Sequence, residues 1–136
     1  MKIELHLAFR LRGGPAAEMI RDWGARIARQ RSFEVIERAG RRPFAGNGWT
    51  ILCDPAGTAY STEQMARQWR ERELSATPLV RVLIGGADGW PGDAQAQTRW
   101  AFGQITMPHE LAAAVATEQI YRILTILTGH PYHVGH

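Results

Sequence analysis

The 136-residue chain has one cysteine, Cys53, and one lysine, Lys2, beside fifteen arginines. A lone cysteine excludes an intrachain disulfide and a thiolate cluster for zinc, so stability must come from packing, and a core this small often goes with an oligomer. No stretch reaches the roughly 18 uninterrupted apolar residues that a membrane span requires. The start, MKIELHLAFR, interleaves charge with apolar residues and so differs from a signal peptide. The expectation is a soluble, cytoplasmic protein with no membrane association. Repeats and low-complexity segments are also lacking, which excludes solenoids and linker-rich architectures. What remains is 45% hydrophobic, enough at this length for one compact core, so residues 1–136 are expected to form a single domain.

Charge is present but uneven. Residues 1–44 carry Lys2 and nine arginines against five acids, and residues 45–136 carry six arginines against eight acids. A basic front third suits phosphate, because the planar guanidinium fork matches its oxygens, and so suits an RNA-facing surface. An ordinary solvated arginine-rich face fits the same counts.

Periodicity supplies alternating elements. In KIELHLAF, Ile3, Leu5, Leu7 and Phe9 share one side and Lys2, Glu4 and His6 the other, which is strand spacing. Pro15 suits a helix first turn, and Met19, Ile20, Trp23 and Ile27 recur at helical spacing to about Gln30. SFEVIERA reads as a second strand, GRRPFAGNG as a connector without a helix, and WTILC as a third strand ended by the turn DPAG. Ser61 with Gln64 forms a capping-box pattern ahead of a helix carrying Met65 and Trp69. LVRVLI is nearly continuous and β-branched, as in a strand covered on both faces. A short helix is expected over Asp93–Trp100, a short strand near AFGQI, and a loop at TMPH. The longest helix runs from Glu110 to Thr128, with Leu111, Val115, Ile120, Ile123, Leu124 and Leu127 as its buried side and Gly129 as its stop. Strands separated by helices predict an α/β fold with a parallel sheet and helices on both faces, whose ligands bind at the carboxyl ends of the strands.

Candidate chemistry lies at those ends. LIGGADG offers Gly85, Gly86 and Gly89 after a buried strand, which fits either a ligand-approaching backbone or a tight strand-to-helix turn; the spacing is not a dinucleotide fingerprint. Cys53 ends another strand beside Asp54 and reads as a small apolar filler rather than a nucleophile. In the tail TGHPYHVGH, His130, His133 and His136 are spaced by three like a metal clamp. Pro131 prevents a helix there, however, and no carboxylate or second cysteine completes a set, so no metal is expected. His6 and His109 read as structural.

The segments LHLAFRLRGGP, VLIGGADG, ITMPHELA and EQIYRILTILTGHPYH, in this order, resemble the small ribosomal large-subunit pseudouridine methyltransferases of the SPOUT superfamily, which act at the third ring nitrogen of the modified base. The resemblance spans most of the chain and is most specific in the last forty residues. It implies a trefoil knot in the C-terminal part, about residues 80–136, and a homodimer with the long C-terminal helix in its interface. It also implies S-adenosylmethionine as cofactor and ribosomal RNA or the ribosome as partner. By position, Cys53 stands at the strand end beside the adenine, where the family usually has Leu, and Gly85 begins the strand-end loop. Phe102, Gly103, Gln104, Ile105, Thr106 and Met107 form the segment around the adenosyl group. Tyr132 and His133, reached across the dimer, are implied to stack on or polarise the target base. Arg122 would hold the base or a phosphate, and Glu118 would orient Arg122.

Departures from the family pattern are expected to matter on the substrate side. Ala113 stands where Arg is usual, Val134 follows the final family histidine where a basic residue is common, and the connector after the second strand is too short for its usual helix. An RNA- or cofactor-binding paralogue with another target, or without turnover, is therefore kept as the alternative to the ribosomal RNA enzyme.

Overall fold

The computed structural model describes residues 1–40, 44 and 46–134. Five strands, β1 (Lys2–Leu7), β2 (Phe33–Ile36), β3 (Trp49–Thr58), β4 (Leu79–Ile84) and β5 (Thr98–Trp100), form one sheet in the order β2-β1-β4-β3-β5. Every pairing is parallel, with Ile3 opposite Val80 and Ile51 opposite Val82 in the central registers. The helices are α1 (Pro15–Ala28), α2 (Thr62–Leu74) and α3 (His109–Thr128), followed by a 3₁₀ turn at Pro131–His133. None is long and apolar enough to cross a membrane, among the described residues. The parallel α/β class read from the alternation is the class the chain adopts.

Alternation along the strands builds two unequal cores. Ile3, Leu5 and Leu7, Trp49 and Ile51, and Val80, Val82 and Ile84 face one way, onto Ile20 and Ile27 of α1, Met65 and Trp69 of α2, and Ile120, Ile123 and Leu124 of α3. The opposite face is thinner: Leu52 and Leu83 lie under Ala94, Phe44, Trp90 and Ala96. Handedness explains the split. β1→β2 and β3→β4 step the same way along the sheet, so right-handed crossovers put α1 and α2 on one face. β2→β3 and β4→β5 step the other way, across the second face, and neither connection carries a helix among the described residues. Helices expected on both faces are thus gathered on one, and aromatic and alanine side chains of loops cover the other.

The helix expected over Asp93–Trp100 is absent, and the strand expected near AFGQI lies earlier, at Thr98–Trp100. Sheet pairing wins over helical spacing here. The Trp49 indole N–H donates to Thr98 Oγ1 (2.9 Å), and the Thr50 amide donates to the Gln97 side-chain oxygen (2.7 Å), so the segment is pinned as an edge strand. DPAG does not end β3, which continues to Thr58 through a shift in register between Cys53 and Thr58. Met19 and Leu111, expected on buried stripes, are 40% and 41% exposed. In α3, Ala113, Ala114, Ala116 and Thr117 are buried instead, and these small side chains let the helix sit close to its neighbours. Gly129 ends α3 in the left-handed conformation, φ 74°, as expected of a helix stop.

Ser61 caps α2 with the reciprocal pattern read from its spacing: Gln64 N–H donates to Ser61 Oγ (3.1 Å) and Ser61 N–H to Gln64 Oε1 (2.8 Å). Thr62 Oγ1 then donates to Gln119 Oε1 (2.6 Å), which locks the start of α2 against the middle of α3.

Candidate functional site

At the carboxyl ends of β3, β4 and β5 lies a cavity of about 630 Å³. Leu52, Ile84, Trp100 and Phe102 provide its apolar lining, and Asp54, Asp88, Asp93, Arg99 and His109 contribute polar atoms. Its volume falls within the roughly 300–1,000 Å³ of clefts that hold small organic ligands. Position follows from topology, because parallel strands direct their loops to one edge.

Six of the cofactor residues expected from the sequence, Cys53, Gly85, Phe102, Gly103, Ile105 and Thr106, line this cavity together with Met107, the seventh; Gln104 alone does not. Burial pushes the Cys53 thiol well above the usual thiol range, so it remains a neutral wall group and no nucleophile. The need for glycine at Gly85 comes from the protein itself. A Cβ there would lie 2.5 Å from the Gly89 carbonyl carbon and 2.6 Å from the Trp90 nitrogen, since Gly86 and Gly89 close a tight turn by paired backbone hydrogen bonds of 3.2 and 3.0 Å. The ambiguity of GGADG is resolved: it is a tight turn, and that turn forms one wall of the cavity.

Phe102 packs edge-on against Trp100 (5.0 Å between centroids), and Gly103 takes φ 102° to bend the chain away. Among the described residues, segment 102–107 makes no backbone hydrogen bond to the rest of the protein. A row of free peptide groups beside an apolar hollow matches a purine: the ring is apolar on its faces, while its edge exchanges hydrogen bonds that peptide N–H and C=O supply. Opposite, Arg99 pairs with Asp54 at 3.0 Å on the rim. Sequence reading missed Asp54, Trp90, Trp100 and His109 as lining residues. Asp54 follows Cys53 at the strand end and was legible; Trp100 was hidden by its assignment to a helix.

The second expected group also assembles, elsewhere. Glu118 Oε1 accepts hydrogen bonds from Arg122 Nε (2.9 Å) and Tyr132 Oη (3.1 Å) and pairs with Arg122 Nη2 at 2.8 Å. Arg122 Nη1 lies 3.1 Å from His133 Nδ1, and its guanidinium sits 4.9 Å from the Tyr132 ring centre. Tyr132 makes edge contacts with Trp23 and Tyr121, and Arg26 stacks 4.3 Å over Trp23. Burial first, then the Glu118 charge, raises the Tyr132 phenol above its ordinary range, so it keeps its proton. None of Glu118, Arg122, Tyr132 or His133 lines the cavity. Within one chain the two halves of the expected site stay apart.

Of the substrate-side departures, Ala113 is fully buried in the core and its carbonyl accepts the Thr117 hydroxyl (2.7 Å). Val134 is exposed, and His136 lies outside the described residues, as do Arg41 and Arg42 of the connector.

The fold is a parallel α/β sheet with a cavity of small-ligand size at its strand tips. Residues 1–133 match the family model described as "Predicted SPOUT methyltransferase", and the chain belongs to the SPOUT methyltransferase family. It is similar to proteins named ribosomal RNA large subunit methyltransferase H. The one from Rhodospirillum rubrum is 32% identical, covering 98% of this chain and 99% of the relative. That from Sphingopyxis alaskensis is 36% identical over 91% and 90% of the two chains. That from a Methylobacterium species is 34% identical over 99% of both.

Proposed function

We propose that this protein is an S-adenosylmethionine-dependent methyltransferase that modifies the third ring nitrogen of a pseudouridine in large-subunit ribosomal RNA. The observation that carries the reading is the cavity at the strand tips, walled by the Gly85 turn and by the unpaired backbone of 102–107. Its apolar lining and free peptide groups fit the adenosyl part of S-adenosylmethionine, whose sulfonium sulfur would supply an electrophilic methyl group. The protein then has to align the acceptor and hold water away.

Glu118, Arg122, Tyr132 and His133 are the proposed acceptor side. Tyr132 contributes an aromatic ring and a hydroxyl whose proton goes to Glu118, and Arg122 contributes a guanidinium held flat by the Glu118 carboxylate, suited to a pyrimidine carbonyl or a phosphate. Because this group does not line the cavity of its own chain, the reading requires a homodimer in which the tail of one subunit reaches the cofactor loop of the other. Ile105, apolar and 79% exposed at the cavity mouth, supports such a cover. The same reading takes residues 1–136 as one domain with a trefoil knot in about 80–136, working in the cytoplasm.

The test is mass spectrometry of ribosomal RNA from cells lacking this gene, paired with transfer of labelled methyl groups to their ribosomal particles by the purified protein. Loss of the methylated pseudouridine and its restoration in vitro are expected. Persistence of the mark, with no second copy of the enzyme, would overturn the reading; cofactor binding without transfer would favour the non-catalytic paralogue.

A further inference from the structure

His133 is held from both sides. Its Nδ1 faces Arg122 Nη1 at 3.1 Å and its Nε2 faces Glu63 Oε1 at 2.7 Å, across seventy residues of chain. The donors and acceptors follow from the partners. A guanidinium has only donors, so Nδ1 must accept; a carboxylate has only lone pairs, so Nε2 must carry the hydrogen. The geometry therefore selects the neutral Nε2–H tautomer, and an imidazolium would turn an Nδ1–H against the Arg122 N–H groups. Glu63 is itself an ionised acceptor: the hydrogen bond from His133 is the main reason its carboxyl lies below the usual range.

Glu63 is well placed to do this. It sits in the first turn of α2, whose start is fixed by the Ser61–Gln64 capping box and by Thr62 on Gln119. The carboxylate also lies near the helix N-terminus, where negative charge is favoured. His133 is in the 3₁₀ turn, set by Pro131 and by the Tyr132 amide donating to His130 Nδ1 (3.1 Å). Two independently anchored segments thus meet at one 2.7 Å contact.

We infer that Glu63 is a positioning residue of the methyl-transfer site, which fixes the tautomer of His133 so that Nδ1 holds the free edge of the Arg122 guanidinium while Glu118 holds the other. This rests on the proposed function, in which Arg122 meets the target base. It also changes the role of His133: with both ring nitrogens engaged in its own chain, it orients Arg122 and does not take the proton from the base.

The experiment is long-range proton–nitrogen NMR of the histidine rings in the ¹⁵N-labelled protein, with His133 identified by its loss in His133→Asn. In the neutral ring the expected signature is an unprotonated Nδ1 and a protonated Nε2. Glu63→Gln keeps a side-chain oxygen for Nε2–H and should retain that signature; Glu63→Ala should yield mixed tautomers, with helix content unchanged by circular dichroism. Methyl transfer by Glu63→Ala should fall in kcat by about 10-fold, as for loss of a group that orients a site histidine, with KM for the cofactor unchanged and Gln restoring the rate. A protonated Nδ1 in the wild type, an unchanged signature in Glu63→Ala, or a full kcat in that variant would overturn the inference. If the wild type transfers no methyl group while the tautomer responds as described, the proposed function fails and the role of Glu63 in fixing His133 stands.

Discussion

Trp49 and Thr98 share a buried hydrogen bond of 2.9 Å between the indole N–H and the threonine hydroxyl, and it joins β3 to the edge strand β5. Both residues are buried, Trp49 completely. Thr98→Val keeps the shape and deletes the acceptor, leaving a buried donor without a partner. We expect a loss of about 1–3 kcal/mol in urea denaturation, with the midpoint lowered and the slope unchanged. An unchanged midpoint would show that β5 is not held by this bond.

Gly85→Ala forces a methyl group into the Gly89–Trp90 backbone, and the turn must move because the obstacle is main chain. The wall of the cavity moves with it. Calorimetry with S-adenosylmethionine should show binding weakened by about 10-fold or more, roughly 1.4 kcal/mol. Gly89→Ala, which has open space but needs φ 82°, should instead cost about 1–2 kcal/mol of stability with a smaller loss of affinity.

Glu118→Gln removes the second cause of the raised Tyr132 phenol, after burial. In an ultraviolet titration the tyrosinate of the variant should therefore appear at lower pH than that of the wild type. The sign follows from linkage: a phenol whose folded value is raised adds stability that is complete below its unfolded value and is lost as pH rises through the folded one. Methyl transfer should fall as well, because the amide oxygen left in the variant carries no charge to hold the Arg122 guanidinium.

Glu4 lies on the second face of the sheet, 3.0 Å from His6 Nε2 and 3.4 Å from the Lys2 ammonium. Burial alone would raise its carboxyl, yet the His6 hydrogen bond and charge, with Lys2, outweigh it and the net direction is down. The unfolded chain then takes up the proton first, so the stability contributed by Glu4 is present above its unfolded value and lost as pH falls through the folded one. Stability measured from pH 7 into the acid range should drop more steeply for the wild type than for Glu4→Gln. Parallel curves would show that this cluster adds nothing.

Much of this was legible in one sequence. The period-two run of β1, the unbroken apolar β4, the Ser61–Gln64 cap and the Gly129 stop are local, and each was read within a residue or two because the forces that set them act over one or two turns of chain. The cavity segment 102–107 and the Glu118–Arg122–Tyr132–His133 group were named by resemblance and not by physics. Nothing in spacing distinguishes a peptide left free for a ligand from an ordinary loop. The failures share a cause. The helix expected over Asp93–Trp100 lost to pairing with Trp49 and Thr50, some fifty residues away in the chain, and Leu111 lost its buried place to small neighbours that allow closer packing.

Sequence alone determined the parallel α/β plan, because strand and helix periods are written in nearest-neighbour spacing and right-handed crossovers leave few ways to join them. Tertiary structure alone decided that α1, α2 and α3 share one face, that Gly85 is required by its own turn, and that Glu63 meets His133. Each depends on groups far apart in the chain being brought within a few ångströms, and no local pattern encodes such a distance.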